Sequence, residues 1–111
     1  MATKVSARGT AEGPHGEIAL ARGERLGMRM WRGEEPNSDK PMTTSPHETV
    51  GYVISGKAEL VVGGETVTLA AGDSYCVPAG AEHTYRILET FTAVEATHPP
   101  AEVHGRDEPT E

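Results

Sequence analysis

Between Gly72 and His83 the chain reads Gly-Asp-Ser-Tyr-Cys-Val-Pro-Ala-Gly-Ala-Glu-His, and no other stretch restricts the fold as much. Gly72 supplies the backbone freedom for a tight turn into a strand over Ser74 to Val77. Pro78 and Gly80 end that strand and reverse the chain. His83 then opens a new strand, His83 to Ile87, whose alternate side chains share a face, so that His83, Tyr85 and Ile87 point together. An imidazole at the start of a strand, held by a stiff turn, is well placed to serve as a ligand or a base.

The rest of the chain repeats this β-type patterning. Short strands are expected over Glu17 to Ala21 and Gly27 to Trp31; in the second, Met28 and Met30 share one face while Arg29 and Trp31 share the other, so both faces are candidates for burial. Glu34 to Pro46 contains three prolines among polar residues and reads as a loop. From Gly51 to Leu69 apolar and β-branched residues dominate, with a chain reversal expected at Gly56. Gly63-Gly64 lies between two apolar rows, Ala58, Leu60 and Val62 before it and Val67 and Leu69 after it. Both glycines tolerate the positive φ of a type I′ turn, which predicts a hairpin tip. A last strand is expected over Phe91 to Ala96, and no sustained 3.6-residue period competes with these assignments.

Size and charge narrow the function. The chain of 111 residues suits one domain, here divided into an arm over 1–16, a β-barrel over 17–98 and a polar tail over 99–111. Seventeen acidic against ten basic residues give a net charge of -7, which opposes binding to nucleic acid or to anionic membranes. There is no apolar run long enough to span a bilayer and no apolar core of a secretory signal at the N-terminus, so a cytoplasmic location is the expectation. The single cysteine, Cys76, excludes an intrachain disulfide and reads first as a small buried apolar residue.

Gly72, Pro78, Gly80 and His83 match the second signature of the cupin family, G-x-x-x-x-x-P-x-G-x-x-H, although Ile87 stands where the family has an asparagine. Tyr52 to Gly56 resembles the end of the first signature. The resemblance implies an all-β fold, an antiparallel double-stranded β-helix or jelly-roll-like barrel, often dimeric. It also implies a first motif of two histidines and a glutamate that would join the histidine of the second motif around a divalent metal. Counting back from Gly56 puts Thr43, Ser45 and Thr49 at those ligand positions. Hydroxyls are poor ligands for transition metals beside imidazole or carboxylate. His47 and Glu48 are the residues that could rescue such a site: His47 shares parity with Thr49, whereas Glu48 would turn inward only through a bulge near Pro46. The plain alternative leaves His47 in an exposed turn and Glu48 on an edge.

The ligand-lining candidates are therefore Thr43, Ser45, Thr49, Cys76, His83 and Tyr85, and the metal candidates His83, His47 and Glu48, with iron, manganese, nickel, zinc or no metal at all. Met30 and Trp31 are further pocket candidates with equally ordinary core roles. A structural role for His83, bonded to Tyr85 or a backbone carbonyl, stands beside the ligand role. His15, His98 and His104 carry no assigned chemistry. Three functions fit: a small-molecule-binding cupin, metal-free or weakly metal-loaded; a metal-dependent oxygenase or isomerase using His83 and His47 with Glu48; and a dimeric interaction module. They rank in that order, with a homodimer expected throughout and no nucleic-acid or membrane partner.

Overall fold

The computed structural model of the chain describes residues 3–13 and 16–101. Six strands follow one another: β1 Glu17–Arg22, β2 Gly27–Glu34, β3 Glu48–Val62, β4 Glu65–Ala70, β5 Ser74–Val77 and β6 His83–His98. All pairings are antiparallel. The all-β, jelly-roll-like barrel expected from the sequence is the fold of this chain. Among the described residues no helix is long and apolar enough to cross a membrane.

Two long strands organise the barrel. β3 and β6 run side by side from Glu48↔His98 to Val62↔His83. The first half of β3 is flanked by β5 and its second half by β4, while β2 covers the C-terminal half of β6 and carries β1 at its edge. Along the N-terminal half of β6 the proline-rich loop takes the place of a strand, bridging through Asn37↔Ile87 and Thr43↔His83. Side chains turned inward by this arrangement, among them Val53, Leu60, Leu69, Val77, Ile87 and Phe91, form one buried cluster. Burying each such side chain stabilises the fold by roughly 1.5–3 kcal/mol.

Two sequence expectations need correction. The chain does not reverse at Gly56; β3 continues through it, and the register against β6 shifts between Val53 and Ala58. Gly56 there adopts φ +89, so the glycine produces a bend within the strand. Likewise His83–Ile87 and Phe91–Ala96 are halves of one strand, β6, because the long partner β3 supplies hydrogen bonds across the polar stretch between them. A bend in place of a turn lets a single strand serve both ends of the barrel.

The hairpin at Gly63-Gly64 forms as expected, with φ of +58 and +82 and closing pair Val62↔Glu65. A Cβ at Gly64 would meet nothing within 4 Å, so only backbone strain resists substitution. Gly64→Val is expected to cost about 1 kcal/mol, since a β-branched residue resists positive φ. Urea denaturation would measure it, and an unchanged midpoint would contradict the turn assignment.

Candidate functional site

Alternation along the strands brings one set of side chains to the interior. In the segment leading into β3, Thr43, Ser45, His47 and Thr49 share parity, and all four line one cavity of about 340 Å³. The segment is fixed by backbone bonds, Thr43 and His83 exchanging N–H···O contacts of 2.8 and 2.9 Å and Gly80 N–H donating to the Ser45 carbonyl at 2.8 Å. The turn at Pro78 and Gly80 is thus the clamp that sets both His83 and the opposite wall.

His83 and Tyr85 line the same cavity, their rings edge to face with centroids 6.0 Å apart. His83 Nδ1 lies 2.9 Å from the Ala81 carbonyl oxygen. A carbonyl only accepts, so Nδ1 carries the proton, and in the neutral ring Nε2 is left as an acceptor. His47, half-buried in the wall, is held below the ordinary imidazole value by burial and then by the Arg29 charge, with Glu95 opposing and His83 adding to the depression. It is neutral at pH 7.

Two predicted site residues lie elsewhere. Glu48 pairs regularly with His98, with no bulge at Pro46, so its side chain is exposed and does not line the cavity. Its expected place as a metal ligand is thereby corrected. Cys76 is exposed on the outer face of β5, because its neighbours Tyr75 and Val77 take the inward positions. It neither lines this cavity nor fills the core. Of the other histidines, His98 is exposed at the end of β6, and His15 and His104 fall outside the described residues.

The centre of the site is a residue that sequence reasoning passed over. Glu95, 2 % exposed, sits on β6 at the inward parity of Phe91 and Ala93. Its Oε1 accepts from Arg29 Nε and from Trp31 Nε1, both at 2.9 Å. Oε2 accepts from the Tyr75 hydroxyl at 2.7 Å and from the Tyr85 hydroxyl at 3.4 Å. Burial, and after it the Glu95 charge, hold both phenols well above the ordinary tyrosine range, so they remain donors. Arg29 in turn lies over the Trp31 ring, 5.1 Å from its centroid. The Tyr75 ring reaches Glu95 across Gly51, where any Cβ would overlap it. The missed signal is a carboxylate in the apolar row Phe91-Ala93-Glu95, opposite Arg29 and Trp31 on one face of β2.

These residues do not fit a divalent transition metal. Among the described residues no group of three His, Cys, Asp or Glu side chains could hold one. Thr43, Ser45 and Thr49 beside the two imidazoles offer only hydroxyls, Glu34 of the same wall is paired with Lys40, and the Glu95 carboxylate has its lone pairs taken by four donors. What the arrangement offers is a rigid polar floor, an acceptor at His83 Nε2 and hydroxyls on one wall, under an apolar wall that includes Ile87 and Phe91.

Solved structures share this architecture. An RmlC-like cupin from Shewanella frigidimarina superposes with a TM-score of 0.79 over 92% of this chain and 95% of its own, at 21% identity. KdgF from Halomonas sp. gives 0.71 over 92% and 96%, at 19% identity. A cupin superfamily protein from Desulfitobacterium hafniense gives 0.65 over 74% of each chain, at 20% identity. Likeness at these identities is one of fold. No curated protein matches the sequence. The family model of the cupin domain matches residues 33–98, from the end of β2 through the whole of β6. The bent barrel, the clamped histidine and that match lead to one conclusion: this chain belongs to the cupin family.

Proposed function

We propose that this cupin is a small-molecule-binding module whose cavity works without a metal. The observation that carries the reading is the Glu95 cluster. A buried carboxylate saturated by Arg29, Trp31, Tyr75 and Tyr85 fixes four polar side chains of the cavity before any ligand arrives. His83 Nε2 and the hydroxyls of Thr43, Ser45 and Thr49 then orient a ligand by hydrogen bonds. A metal-dependent oxygenase or isomerase is disfavoured by the donor set, and Glu48, needed as its third ligand, faces solvent.

The test is a polar fragment library titrated against protein dialysed with a chelator. Fragments are expected to bind in the cavity, and His83→Ala is expected to weaken them at least about tenfold, or about 1.4 kcal/mol. The melting temperature is expected to move by only a few degrees, because the ring makes one weakly committed bond to a backbone carbonyl. Loss of folding with undiminished binding by the remaining folded fraction would make His83 structural.

A homodimer is part of the same proposal. Val50, Tyr52 and Ile54 alternate along the outer face of β3, each about half exposed, and Met28 lies two strands away across Ala96 of β6. Such an apolar sheet face suits burial against a second copy. Light scattering at micromolar concentration is expected to give twice the chain mass. A monomer mass would remove this part of the reading.

A further inference from the structure

We propose that the ligand of this cavity is a small organic acid whose carboxylate is held by Arg29. The inference rests on the binding-module reading above and narrows it to a ligand class. Arg29 spends its Nε on Glu95, and among the described residues its side chain makes no other hydrogen bond or ion pair. Its two terminal amino groups are therefore left for a ligand in the cavity that Arg29 lines. A guanidinium presents its donors as a planar fork that matches the two oxygens of a carboxylate.

The fork is oriented in advance. One edge is tied to Glu95 Oε1 at 2.9 Å, one face lies over Trp31 at 5.1 Å, and Trp31 Nε1 is bonded to the same Oε1. Little side-chain freedom remains to be lost on binding. Glu95 does not make the place repulsive to an anion. The Trp31 N–H and the two tyrosine hydroxyls turn the positive ends of their dipoles toward it, so its charge is compensated from several sides and not by Arg29 alone. The other cation of the wall, Lys40, lies 3.5 Å from Glu34. One guanidinium against one carboxylate is the remaining match, which favours a monoacid group over a phosphate dianion. A cavity of about 340 Å³ lies at the small end of ligand sites. His83 Nε2 accepts from a hydroxyl or amide elsewhere on the molecule.

Trp31 is the only tryptophan, so its fluorescence reports directly on this corner of the cavity. The experiment titrates three matched pairs, lactate and lactamide, succinate and succinamide, benzoate and benzamide, with inorganic phosphate as a further probe. At least one acid is expected to perturb Trp31 and to bind about tenfold or more tightly than its amide. Arg29→Lys, which keeps the charge and loses the fork, is expected to remove about tenfold of the acid affinity and to narrow the preference for acid over amide. The comparison of acid with amide on the unaltered protein holds even if the variant fails to fold. Amides binding as tightly as acids, phosphate binding more tightly than every acid, or no acid binding at millimolar concentration would each overturn the inference. Amide-selective binding that shifts the amide resonances of Arg29, Trp31 and His83 would leave the cavity reading intact, whereas binding of every probe mapped outside the cavity would remove both.

Discussion

Glu95→Ala is expected to lower the melting temperature by about 15 °C. The substitution strands the Arg29 charge together with the Trp31 N–H and the Tyr75 and Tyr85 hydroxyls in a largely buried site. Removing one partner of a buried ion pair costs about 3–5 kcal/mol, and a domain of this size loses roughly 4 °C per kcal/mol. Glu95→Gln keeps the shape and one acceptor oxygen, so its loss is expected to be about half as large. Thermal melts followed by circular dichroism measure both. A fall of under 5 °C for Glu95→Ala would show that the cluster is solvated and contributes little to the fold.

Gly56→Ala is expected to be at least as damaging, for a different reason. Gly56 lies at the bend of β3 with φ +89, a region that costs an L-residue about 1 kcal/mol or more. A Cβ placed there would also overlap the Thr90 carbonyl oxygen and approach Phe91 Cα to 2.8 Å. Both obstacles are backbone atoms of β6, so relief requires the two long strands to separate at their shared bend. A loss of about 3 kcal/mol or more is expected from urea denaturation, with unfolding in the expression host as the extreme outcome. A stability within 1 kcal/mol of the parent would contradict the close approach of β3 and β6.

The sequence was legible where local rules decide. Pro78 and Gly80 fix a turn whatever surrounds them, and two adjacent glycines between apolar rows make a hairpin, so β5, the start of β6 and the β3–β4 hairpin could all be placed. Strand continuity was not legible. Gly56 supports a turn or a bend equally well, and the choice depends on β6 lying alongside, a partner distant in sequence. The same limit applies to the site. The motif resemblance brought Thr43, Ser45 and Thr49 to the site and parity with Thr49 added His47, whereas Glu48, admitted as a metal candidate through a bulge near Pro46, faces solvent because β3 runs regularly there. Cys76 went astray because a short strand of alternating Tyr and Cys gives no sign of which residue faces in, and the barrel chose the larger ring. Glu95 was passed over, and Arg29 stood only as a neighbour of Trp31 on one strand face, because each charge is acceptable in the interior only beside the other, and that pairing spans two strands far apart in sequence.

The central claim is that a cavity built on Glu95, Arg29 and His83 binds a small molecule without a metal. The most direct measurement is a two-dimensional amide NMR titration of polar fragments into chelator-treated protein. The account predicts shifts concentrated at Arg29, Trp31, Thr49, His83 and Glu95. Shifts that appear only after a divalent metal is added, or that gather on the outer face around Val50 and Tyr52, would contradict it.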